Sequence, residues 1–245
     1  MRLALLSDIH GNLPALEAVL DDLHPRAVDA VVNLGDSLSG PLLPRETAAL
    51  LMAQDWVQLA GNHERQLLQD PPHARLASDA YAHAQLGPEV FDWMRGLTHC
   101  RAYGDDVLLC HGSPRRDVEA LLETVTPQGR RLAHADEIDT RLAGSDAALI
   151  ACGHTHLPRI ARSTRGQLIV NPGSVGLPAY ADDQPYPYTI ETGSPDARYA
   201  IVEHRNGRWQ ATLIAVPYAH EAMARLADAN GRPDWAIALR TGRVA

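Results

Sequence analysis

Asp146-Ala147-Ala148-Leu149-Ile150-Ala151-Cys152-Gly153-His154-Thr155-His156 is an apolar run that ends in a Gly-His-x-His turn. The run reads as a buried strand, and an extended turn at its end can point both imidazoles into one space. Each ring there offers a neutral nitrogen to a metal. Taken alone, two loop histidines are as well served by solvent or by ordinary hydrogen bonds. What decides is the chain upstream, where four earlier strand ends also supply ligand chemistry.

Leu3 to Leu6 reads as a buried strand, and Asn12 to Leu23 places Leu13, Leu16, Val19, Leu20 and Leu23 at helical spacing. Between them lies Ser7-Asp8-Ile9-His10-Gly11-Asn12, at the carboxyl end of a strand in a strand-loop-helix unit, where ligands collect. Ala30 to Leu34 repeats the arrangement and ends in Gly35-Asp36, and Pro44 to Gln54 follows as a helix with proline in its first turn. The short strand Asp55 to Ala60 runs into Gly61-Asn62-His63-Glu64, which brings a neutral amide oxygen beside a titratable ring. Val107 to Cys110 delivers His111-Gly112-Ser113-Pro114.

The intervening chain is plainer. Arg65 to Arg95 is mostly helical with a break at Asp70-Pro71-Pro72, and Thr98 to Tyr103 pairs with Val107 to Cys110 as a hairpin. Arg115 to Leu142 reads as a helical covering segment, with Arg115 and Arg116 either phosphate contacts or solvated surface charges. Arg159 to Arg162 and Gln167 to Val170 are paired strands that lead into Asn171-Pro172-Gly173-Ser174-Val175-Gly176. Pro178 to Pro195 reads as a long loop, Arg198 to His204 and Trp209 to Val216 as a hairpin through Asn206-Gly207, and residues 219–229 as a closing helix.

A chain of 245 residues, 45% hydrophobic and 21% charged, is expected to fold as one domain spanning 1–245 with a substantial core. The net charge of -8 gives no support to a nucleic-acid partner, which would favour a basic surface. All 22 positive side chains are arginine, which removes Schiff-base lysine chemistry and the P-loop lysine. Cys100, Cys110 and Cys152 form neither a metal-binding pair nor an even disulfide set. The start Met1-Arg2-Leu3-Ala4-Leu5-Leu6-Ser7-Asp8 is too short for a signal-peptide core, and no stretch approaches the roughly 18 apolar residues of a membrane span. A cytoplasmic protein with no membrane partner is the expectation.

In order and residue type, the motifs Asp-x-His, Gly-Asp, Gly-Asn-His-Glu, His-Gly and Gly-His-x-His, from Asp8 to His156, resemble those of the calcineurin-like metallophosphoesterase superfamily. The resemblance implies an α/β fold, a four-layer α-β-β-α sandwich of two mixed sheets flanked by helices, with two metals between strand-end loops. Carried onto this chain, Asp8, His10 and His156 would hold one metal, Asn62, His111 and His154 the other, and Asp36 would bridge them. His63 would face the substrate as the catalytic acid or hydrogen-bond donor. The implied chemistry is hydrolysis of a small phosphate-ester substrate by a metal-bridging hydroxide. Mixed imidazole and carboxylate ligands suit manganese, iron, zinc, cobalt or nickel better than calcium.

Asp-Ile-His-Gly-Asn, His-Gly-Ser-Pro and Asn-Pro-Gly-Ser-Val-Gly look most like the small bacterial and archaeal phosphodiesterases of that superfamily. The protein serine/threonine phosphatases share Gly-Asn-His-Glu but usually carry Asp-Arg-Gly after the Gly-Asp motif, where this chain has Ser37-Leu38-Ser39-Gly40. Phosphomonoesterase and protein phosphatase stay open as alternatives. A nuclease is less well served because the acidic balance gives no support to a nucleic-acid channel, and a non-catalytic binding scaffold because no ligand position is lost.

Overall fold

The computed structural model describes residues 1–245. In the strand Arg2–Leu6 (β1), Leu3 and Leu5 face one side while Ala4 and Leu6 face the other, and all four are fully buried. A strand buried on both faces belongs in the middle of a layered structure. The helix Leu13–Leu23 (α1) follows, capped by the Asn12 side chain, with Leu16, Val19 and Leu23 turned inward at the spacing the sequence predicts. Then come β2 (Ala30–Asn33), α2 (Pro44–Met52), β3 (Val57–Gln58), α3 (Asn62–Gln69), α4 (Ala77–Gln85) and α5 (Pro88–Arg95).

A second series begins with β4 (Cys100–Tyr103) and β5 (Val107–Cys110), the expected hairpin. It continues through β6 (Glu123–Thr126), β7 (Gly129–Leu132), α6 (Ala135–Arg141), β8 (Leu149–Ala151), β9 (Arg159–Arg162) and β10 (Leu168–Asn171). The chain closes with β11 (Ala179–Asp182), β12 (Tyr188–Glu191), β13 (Ala197–Arg205), β14 (Arg208–Val216), α7 (His220–Ala229) and α8 (Pro233–Thr241).

Two five-stranded mixed sheets result, ordered β14-β13-β1-β2-β3 and β4-β5-β8-β10-β9. Within them β1, β2 and β3 run parallel, as do β5, β8 and β10, while the remaining pairings are antiparallel. Leu3, Leu5 and Val32 of one sheet meet Leu109, Leu149 and Val170 of the other in a shared core. Leu6, Leu16, Val19 and Leu51 pack α1 and α2 on the outer face of the first sheet, and Ile138 of α6 covers Ile150 and Ile169 on the second. This is the four-layer α-β-β-α sandwich. No helix is long and apolar enough to cross a membrane.

Three segments depart from the sequence expectation. The covering segment is not helical up to Leu142. Thr124, Val125 and Thr126 are β-branched, Gly129 turns the chain at φ +112°, and β6 and β7 pair there, leaving only Ala135–Arg141 as helix. Pro178 to Pro195 holds a further hairpin, β11–β12, whose Ile190 is fully buried and whose Tyr180 and Tyr188 rings lie 6.2 Å apart. The closing helix is a pair: α7 packs on α8 through Met223, Ala227, Trp235 and Leu239.

Candidate metal centre

The parallel strands place their carboxyl ends at one cleft between the sheets, and every predicted site residue lies there. Asp8 and His10 follow β1, Asp36 follows β2, Asn62 and His63 open α3 after β3, His111 follows β5, and His154 and His156 follow β8. Backbone bonds stitch these loops together: Asp8 N–H to Gly35 O, His10 N–H to Asp36 O and Val175 N–H to Ser7 O, all at 2.9–3.0 Å. Asp8, His10, Asp36, His154 and His156 all have positive φ, between 53° and 69°. Such a conformation costs a non-glycine residue about 1 kcal/mol or more, so the surrounding hydrogen bonds are what hold these five in place.

The histidine tautomers are set by carbonyl oxygens, which only accept. Nδ1 of His10 lies 2.7 Å from Ser39 O, Nδ1 of His156 2.8 Å from Leu177 O, and Nδ1 of His111 2.9 Å from Leu34 O. In its neutral form each ring therefore carries its proton on Nδ1 and turns Nε2 inward as the free donor atom. Nε2 of His10 and Nε2 of His156 stand 3.1 Å apart, and the buried Asp8 Oδ1, which lacks a hydrogen-bond partner, lies 3.4 Å from the latter. On the other side, His111 Nε2 is 3.1 Å from Asp36 Oδ2 and 3.2 Å from Asn62 Oδ1.

Donor atoms of Asp8, His10 and His156 all lie within 4.8 Å of one another, as do those of Asp36, His111 and His154. Acceptors converging in a buried space repel unless a metal ion or, as at His111 Nε2, a proton neutralises them. The set therefore fits two divalent cations of the kind imidazole and carboxylate favour together.

The electrostatics agree. Burial, helped by neighbouring His156, pushes His10 down to about 4, and burial with His111 pushes His154 down to about 4, so both are neutral at physiological pH. For His111 burial acts the same way, but the carboxylate of Asp36 outweighs it and lifts the ring to about 10. Burial of Asp36 is in turn overcome by His111 and His63, which hold its carboxyl well below the usual range. At His63 burial is outweighed by Asp36 and Asp79, which raise the ring to about 9.

His63 has a partner that the sequence reading missed. Its Nδ1 lies 2.8 Å from Oδ1 of Asp79, a fully buried residue of α4. Its backbone N–H donates to Asp36 Oδ1 at 2.9 Å, and its ring meets that of His10 edge-on at 5.4 Å. Glu64 accepts from the N–H groups of Asp36, Ser37 and Gly61 at 2.7–2.8 Å, clamping the β2 loop to the start of α3.

The region after Gly176, to which the sequence assigned little, supplies walls. Tyr180 packs edge-on against His156 at 4.8 Å, and Trp235 against His10 at 5.8 Å. Arg115, one suggested phosphate contact, is exposed and its guanidinium is bound by Glu119. Arg116 contributes only its backbone to the turn around Ser113.

Comparison with known proteins matches residues 1–193 to the family described as the Calcineurin-like phosphoesterase superfamily domain. A metallophosphoesterase from Sphaerobacter thermophilus superposes with a TM-score of 0.74 at 26% identity, covering 98% of each chain. A hypothetical protein from Pyrococcus horikoshii OT3 shares the fold at a TM-score of 0.75 and 19% identity, over 100% of this chain and 99% of its own. An uncharacterized protein of Methanocaldococcus jannaschii is 24% identical over 256 residues, 95% of this chain and 94% of its own. With its strand-end ligands gathered at one cleft between two mixed sheets and this match over most of its length, the chain belongs to the calcineurin-like phosphoesterase superfamily.

Proposed function

We propose that the protein hydrolyses phosphate esters, with phosphodiesters preferred over monoesters, at two divalent transition-metal ions. The observation that carries this reading is the pair of three-residue clusters, Asp8/His10/His156 and Asp36/His111/His154, with His63 beside them. Asn62 Oδ1 would complete the second cluster, and Asp36, which acts electrostatically on both His111 and His10, would serve as a ligand between the two. Bound there, two such cations supply a nucleophile at neutral pH and Lewis-acid stabilisation of the phosphoryl oxygens.

The chain's own residues do the rest. Asp8 and Asp36 bring the negative charge that the five other ligands, His10, Asn62, His111, His154 and His156, do not supply, and the carbonyls of Ser39, Leu34 and Leu177 fix three imidazoles with Nε2 inward. His63 is held cationic, its Nδ1 proton committed to Asp79, which leaves Nε2–H to donate. That proton passes to the leaving oxygen as the ester bond breaks, a contribution of about 10²- to 10⁴-fold for a well-placed general acid. Diester preference is supported by room for a second ester arm: a cavity of about 270 Å³ opens beside His154 and Thr155, between β6, β7 and β12.

Metal-stripped protein resupplied with manganese, nickel, iron, zinc or magnesium tests the reading on bis-p-nitrophenyl phosphate against p-nitrophenyl phosphate. Metal-dependent turnover with higher kcat/KM for the diester is expected. A monoester preference would reassign the protein as a phosphatase, and no turnover of either with metal bound would reject the hydrolase reading.

A further inference from the structure

The cavity beside the metal cluster has a charge that nothing in the fold uses. Four charged side chains line it: Glu119, Glu123, Arg130 and Arg141. Glu119 is bound to Arg115, and Glu123 to Arg159 at 2.5 Å. Arg141 donates to the carbonyls of Leu121 and Glu123 and to Thr124 Oγ1, with Glu137 at 4.0 Å. Arg130, on β7, has no carboxylate within ion-pair distance and no side-chain hydrogen bond, and its Nε is buried without a partner.

A half-buried guanidinium with an unmet donor is costly unless a ligand completes it. Arg130 and Tyr188 both line this cavity and the neighbouring recess beside Asp182. The β11–β12 hairpin that forms this wall carries Tyr180 onto the ring of His156, so the wall is continuous with the metal cluster.

Resting on the phosphoesterase reading above, we propose that Arg130 binds a second anionic group of the substrate, making the protein selective for phosphate esters that bear another phosphate or carboxylate beside the one cleaved. The planar fork of arginine suits either anion, and its charge-assisted bonds are the strong kind. The position fits: one cavity touches both His154, a metal-cluster residue, and Arg130.

Two chromogenic esters isolate the effect: thymidine 5′-(p-nitrophenyl phosphate) and the same compound with a 3′-phosphate. Both release p-nitrophenol from the same bond, and only the second carries the extra anion. The manganese-loaded enzyme is expected to favour the 3′-phosphorylated ester by about 10- to 100-fold in kcat/KM, mostly through KM. Arg130→Ala should bring that ratio toward one, Arg130→Lys should keep part of it, and Arg208→Ala, at an exposed arginine on β14, should leave it intact.

A ratio near one in the wild type, or a ratio that survives Arg130→Ala, overturns the inference while leaving the hydrolase reading standing. No turnover of either ester overturns both.

Discussion

The Nε2 atoms of His10 and His156 face each other at 3.1 Å, each ring having spent its Nδ1 proton on a carbonyl oxygen. Two lone pairs at that separation favour a shared cation between them, with Asp8 supplying the charge. His111 and His154 serve the other cluster with Asp36. His156→Ala should therefore cost one ion: metal analysis of protein purified with excess manganese is expected to fall from about two ions per chain to about one. A variant that still carries two would show that His156 is not a ligand.

Metal and protons compete at His111. Asp36 lifts this ring to about 10, so at pH 7.5 the metal-free protein holds a second proton on Nε2, the atom a metal needs. Binding must expel it. Titration calorimetry in two buffers of different ionisation enthalpy is expected to report net proton release near pH 7.5. Because the folded value is raised, the competition grows as pH falls, and affinity should weaken steadily toward acid. Identical heats in both buffers would contradict this assignment.

The candidate ligands were legible because they sit at or just beyond strand ends, so that strand-end position and residue type could be read together at Asp8, Asp36, Asn62, His111 and His154. What completes the site is long-range. Asp79 lies 16 residues from His63 within an unremarkable helix, and Ser39, Leu34 and Leu177 act through carbonyls that every residue carries. Arg130 looked like any other arginine because its isolation shows only after Arg115, Arg141 and Arg159 have found their partners. The β6–β7 and β11–β12 hairpins are short and pair only with themselves, which leaves them little of the apolar run that betrays a core strand.

Close approach of backbones makes Gly61 a second point of control over Asp36. A Cβ built there overlaps Asp36 Oδ1 and crowds the Asp36 backbone N at 2.6 Å. Gly61→Ala is expected to fold but to displace the Asp36 carboxylate. Both ions should bind more weakly, with activity down at least about 10-fold at limiting metal and partly restored at excess. Unchanged metal affinity would mean that the loop yields and Asp36 stays in place.

Asp79 positions His63 and sets its charge without touching the reacting atoms. The cationic ring is the form that donates a proton, so activity falls as pH rises through its pKa. Asp79 helps to raise that value, and a neutral amide in its place must lower it, whatever the bound metals add. Asp79→Asn is therefore expected to lose about 10- to 100-fold in kcat with full metal content. The alkaline limb of its kcat profile should move to lower pH. Asp79→Glu, which keeps the charge, should move the limb less. If Asp79→Asn lowered kcat while the limb stayed where it was, the dyad would be a packing contact, and the proton delivered to the leaving oxygen would have to come from another group.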